Sequence, residues 1–144
     1  MPVASRILLS AILITGSSVA AAADQQVAQA NRTLRLSALC MQQGQFAFFF
    51  ENNSNVAVDS ISIDLTLHNR KHPNQILGRE TAQFEYVDPG AVGEDTSQIS
   101  ERHCSNVDYI RVRDVVVCRI KGVLFPGCRN YLQPDVIEIE GVTP

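Results

Sequence analysis

The sequence predicts an all-β protein, an antiparallel β-sandwich of about seven strands stapled by disulfides. Three observations carry that expectation. Ile61, Ile63, Leu65 and Leu67 alternate with Ser62, Asp64 and Thr66, the period-2 mark of a half-buried strand. Several shorter apolar runs are separated by Gly, Pro and Asn, the residues that tight turns require. Beyond residue 23 no stretch keeps the i, i+3, i+4, i+7 apolar spacing of a helix over about ten residues.

The chain opens differently. Arg6 is the only charge in the first 23 residues, followed by the apolar run Ile7–Ile14 and the small residues Ala20–Ala23. That order reads as a secretory signal peptide cleaved near Ala23. The run is too short for a bilayer span, which needs roughly 20 apolar residues. Cleavage would leave about 121 residues, single-domain size. The expected organisation is a signal peptide at 1–23, a flexible N-terminal arm at 24–33 and one sandwich domain at 34–144. Loss of Arg6 shifts the formal charge from −3 to about −4, and that acidic balance argues against a nucleic-acid binder. No later segment is apolar enough to span a membrane, so the expected location is periplasmic or secreted.

The strands follow in order. Leu34, Leu36 and Ala38 alternate with Arg35 and Ser37 up to Cys40, and Gln42-Gln43-Gly44 turns the chain. Phe46, Phe48 and Phe50 share one face of the next strand, a large packing contribution. The cluster Asn52-Asn53-Ser54-Asn55 reads as a tight turn joining that strand and the next as a hairpin. Val56 and Val58 are out of phase with Ile61, so a β-bulge is expected at Asp59-Ser60 unless the turn runs further. Asn69–Gln75 is a basic loop closed by Pro73, followed by an alternating strand through Ala82, Phe84 and Tyr86. Asp88-Pro89-Gly90 ends it, with Pro and Gly at the central positions of a β-turn. A short strand is expected near Thr96–Ile99. Val107–Ile120 is apolar on both faces at its centre, as in a central strand or one that changes packing partner. Val136–Glu140 closes the set, with Ile137 and Ile139 inward.

Phe48–Ser54, Ser60–Leu67 and Val87-Asp88-Pro89-Gly90 together resemble the bacterial FxLYD-type immunoglobulin-like domain. The resemblance covers about half of the mature chain and implies an immunoglobulin-like sandwich of the cell envelope. Asp64-Leu65-Thr66-Leu67-His68 stands where the family's signature would end in a Tyr-Asp pair, and the resemblance carries no catalytic residue.

Cys40, Cys104, Cys118 and Cys128 form an even set, which in an exported chain reads as two disulfides. Of the three connectivities, the short loop through Gly122 and Gly127 favours Cys118–Cys128, leaving Cys40–Cys104 as the long staple. No two cysteines form a Cys-x-x-Cys pair, which disfavours zinc.

Catalytic chemistry finds little support. No Gly-x-Ser-x-Gly elbow and no phosphate-cradling glycine loop is present. Glu94-Asp95 and Glu138/Glu140 read as solvated surface. His68, His72 and His103 are the alternative metal ligands, although Pro73 removes the helical geometry that makes a four-residue spacing useful. Arg111, Arg113, Arg119 and Lys121 fall on one side of a regular strand, with Arg70, Lys71 and Arg79 around one loop. Such a patch suits an acidic protein, a glycan or an anionic lipid surface. The expectation is therefore an exported, non-enzymatic accessory or binding module without cofactor, whose partner is an envelope protein or glycan. A small metal-binding protein is the alternative.

Overall fold

A computed structural model describes residues 33–95 and 104–139. The expected signal peptide, nearly all of the arm, the strand near Thr96–Ile99, His103 and Glu140 lie outside the described residues. Within them the strands are β1 (Leu34–Cys40), β2 (Phe46–Asn52), β3 (Val58–His68), β4 (Ile76–Val87) and β5 (Val92–Glu94). After them come β6 (Tyr109–Ile120), β7 (Val123–Leu124), the four-residue helix α1 (Cys128–Tyr131), β8 (Leu132–Gln133) and β9 (Val136–Glu138). No helix among them is long and apolar enough to cross a membrane.

Two sheets form. One has the order β5-β2-β1-β8; the other has β4-β3-β6-β7, with β9 also pairing β6. All pairs are antiparallel except β1 with β8. Because β2 pairs β5 while β3 pairs β6, the chain crosses from the first sheet to the second between β2 and β3. This corrects one expectation. β2 and β3 do not form a hairpin; the Asn52–Ala57 connection carries the chain from one sheet to the other.

The alternations explain the core. Leu34, Leu36, Phe46, Phe48 and Phe50 point inward from the first sheet, and Ile61, Ile63, Leu65, Leu67, Phe84 and Ile110 from the second. Phe50 and Phe84 meet across the interface with ring centroids 5.3 Å apart. The phase slip at Asp59-Ser60 is a bulge: Val58 and Ser60 face Ile120 and Arg119, leaving Asp59 extra. Both Val58 and Ile61 are thereby buried. β6 has further register shifts opposite Ser62/Ile63 and Asp64/Leu65, and it changes partner from β9 at one end to β7 at the other.

The crossover and the end of β4 converge on Asn52, which is fully buried. Its Nδ2 donates to the carbonyls of Val56 (2.8 Å) and Val87 (2.9 Å), and its Oδ1 accepts from the Ser54 amide (3.1 Å) and hydroxyl (2.6 Å). One side chain thus joins the crossover to the end of β4. The Asp88–Ala91 turn closes beside it with Gly90 at φ 76°, the left-handed value that favours glycine at that position.

The sulfur bridges join Cys40 to Cys104, with Cα atoms 5.8 Å apart, and Cys118 to Cys128, 6.3 Å apart. The first ties the end of β1 to the segment before β6; the second ties β6 to α1.

Candidate functional site

The outer face of the second sheet is built by the polar half of the β3 alternation. Cross-strand register sets Arg79 of β4 and Arg111 of β6 directly on either side of Thr66. One step along, Thr81 and Asp114 flank Asp64, and in the other direction Tyr109 lies beside His68. Arg113 sits at a register shift, the extra residue between Val112 and Asp114. Alternation should leave this face wet, yet Thr66 is only 1% exposed and His68 7%. Long guanidinium side chains on both flanks account for the cover over Thr66, and the Tyr109 ring lies parallel to His68 at 5.0 Å.

Thr66 Oγ1 and His68 Nε2 share a hydrogen bond of 2.7 Å, and His68 Nδ1 is enclosed with no partner among the described residues. Burial lowers the His68 pKa, and Arg111 and Arg113 lower it further. The ring is therefore neutral at neutral pH. Among the described residues Arg79, Arg111 and Arg113 have no carboxylate within ion-pair distance, whereas Arg70 pairs with Glu138 and Arg129 with Asp135 (2.7 Å). Arg79 and Arg113 look onto a cleft of about 400 Å³ shared with Asp64, Leu65, Thr66, Glu80, Thr81 and Asp114.

The sequence-derived candidates scatter relative to this centre. Arg111 and Arg113 join Arg79 there. Arg119 lies on the same face opposite Ser60, about 20 Å along the sheet at the usual strand rise. Lys121 occupies the β6–β7 turn at φ 52°, followed by Gly122 at φ 73°. Arg70 pins the loop after β3, its amide donating to Asp108 (2.7 Å), and Lys71 is exposed in that loop. His68 is buried in β3 while His72 is exposed in the loop, and no three His, Cys, Asp or Glu side chains converge as metal ligands among the described residues. Asp64, Thr66, Tyr109 and Asp114 went unassigned from sequence. For Asp64 and Thr66 the signal was the β3 alternation, whereas Tyr109 and Asp114 come beside them only through the β3–β6 register.

A second concavity of about 190 Å³ lies at one end of the sandwich, lined mainly by Leu34, Val56, Val58, Ile120, Phe125 and Tyr131. Its lining offers little beyond apolar surface.

No family model matches this chain, and no curated protein matches it. Among solved structures, IrmA from Escherichia coli is similar at 13% identity and a TM-score of 0.45, over 78% of this chain and 95% of that one. Likeness at that level assigns no function.

Proposed function

We propose that this chain is an exported, non-enzymatic binding module of a bacterial envelope, of the FxLYD-like immunoglobulin type. It docks on an anionic partner through the outer face of β4, β3 and β6. The observation that carries this reading is the group Arg79, Arg111 and Arg113, gathered beside Thr66 without a carboxylate partner among the described residues. Guanidinium groups left unpaired on a rigid sheet are pre-organised to fork onto carboxylate, phosphate or sulfate oxygens. Two disulfides suit an oxidising, exported compartment.

Charge reversal tests the reading. Arg79→Glu, Arg111→Glu and Arg113→Glu in one chain should abolish retention on native envelope fractions and on anionic matrices, with the circular dichroism spectrum unchanged. Unchanged retention by the folded variant refutes it. Lys121→Glu and Arg119→Glu, at the far end of the face, should change retention by less than about threefold.

A further inference from the structure

The cleft between Arg79 and Arg113 holds more than positive charge. Asp64 and Asp114 stand directly opposite each other across β3 and β6. Like charges in that position destabilise a sheet. Each carboxylate is already oriented by one bond: Asp64 Oδ1 accepts from Thr81 Oγ1 (3.0 Å), and Asp114 Oδ1 from the Val115 amide (2.8 Å). Their second oxygens carry no hydrogen bond among the described residues. Two guanidiniums and three carboxylates, Glu80 included, thus line one cleft, and no ion pair joins Arg79 or Arg113 to Asp64 or Asp114. Arg79 lies opposite Thr66, diagonal to Asp64, which itself lies opposite Thr81.

We infer that this cleft binds an acidic saccharide, a sugar ring bearing a carboxylate or phosphate beside free hydroxyls. The inference rests on the docking role proposed for this face and names its ligand. A saccharide acid supplies both complements at once: its anionic group receives the forked donors of Arg79 and Arg113, and its hydroxyls donate to Asp64 and Asp114. Hydroxyl donors also relieve the opposed carboxylates. A partner that is anionic throughout, such as a run of Glu side chains, would meet Asp64 and Asp114 with repulsion. At about 400 Å³ the cleft falls in the range of small-ligand sites.

Titration calorimetry on the intact mature protein tests this with five probes. They are a glucuronate-containing disaccharide, glucose 6-phosphate, neutral cellobiose, inorganic phosphate and a poly-glutamate peptide. One of the two acidic sugars should bind at least tenfold more tightly than the other three probes, and which one does so identifies carboxylate or phosphate as the recognised group. Asp64→Asn with Asp114→Asn should weaken that sugar at least tenfold while raising the thermal midpoint, a combination that loss of folding would not produce. If the Asn variant instead binds every anion more tightly, or poly-glutamate binds best, or no sugar binds, the saccharide assignment is overturned. Envelope retention that still depends on the three arginines would then leave the docking role standing. Retention indifferent to the arginines removes both.

Discussion

Replacing Asn52 should unlock the crossover between the two sheets. Its side chain makes four hydrogen bonds from a fully buried position, two of them to the carbonyls of Val56 and Val87. A satisfied hydrogen bond contributes about 1 kcal/mol net, and a buried group left without its partner costs about 1–3 kcal/mol. Ser54 Oγ also lies 2.9 Å from the Val56 carbonyl and can keep that acceptor satisfied. The Val87 carbonyl, which accepts in a buried setting, loses its side-chain donor outright. Asn52→Ala should therefore lose about 4 kcal/mol, a large share of the roughly 5–15 kcal/mol that holds a typical domain. Asn52→Asp keeps the shape and the bonds from Ser54 but sets an oxygen against both carbonyls. At neutral pH it should be worse than alanine, and it should recover in acid, where the protonated carboxyl can donate to Val87. Urea unfolding followed by circular dichroism reads both, as midpoints at constant slope. A loss below about 1 kcal/mol for alanine, or an aspartate variant no worse than alanine at neutral pH, refutes the assignment of the crossover to this side chain.

Four further outcomes follow from the same geometry. Above the ordinary histidine value of 6.5 both folded and unfolded chains hold His68 neutral; as pH falls through it the unfolded chain protonates first, so stability drops on acidification. His68→Phe keeps a ring against Tyr109 and removes the titrating nitrogens, so thermal midpoints measured from neutral to mildly acidic pH should fall less steeply than in the parent. Removing the Cys40–Cys104 bridge, which spans 64 residues, should cost about 4 kcal/mol, against about 3 for Cys118–Cys128, which spans 10. Mass spectrometry without reductant should find no free thiol. Gly122→Val forces a β-branched side chain to φ 73° in the β6–β7 turn and should lose about 1–2 kcal/mol in the same urea assay.

Much of the fold was legible because one-sided burial writes itself into a period of two. The alternations of β1 to β4 could be read from phase alone, and so could the slip at Asp59-Ser60, although phase left a bulge and a longer turn both open there. The partner of each strand could not. Phe46–Phe50 and Ile61–Leu67 each announce a buried face, and nothing in either run says which sheet it joins, so adjacent strands read as a hairpin although Asn52 sends the second across the sandwich. The short strands β5, β7 and β8 and the single turn of α1 show no period; with the expected strand near Thr96–Ile99 outside the described residues, those residues hold nine strands against the expected seven or so. The candidate site was half visible. Arg111 and Arg113 stood out as basic residues, but the shifts in β6 redistribute its charges, and Val115-Val116-Val117 hides the change of phase by being apolar throughout. Thr66 and His68 sit on the face that alternation assigns to solvent. Their burial depends on Arg79, Arg111 and Tyr109 arriving from other strands, which no local pattern encodes.

The most direct test neutralises the cations without reversing them. Mature protein and the variant carrying Arg79→Gln, Arg111→Gln and Arg113→Gln would be titrated onto native envelope fractions across a range of salt. Saturable binding by the parent that weakens with salt, and at least tenfold weaker, salt-insensitive binding by the folded variant, is the predicted result. Identical isotherms for the two proteins would contradict it.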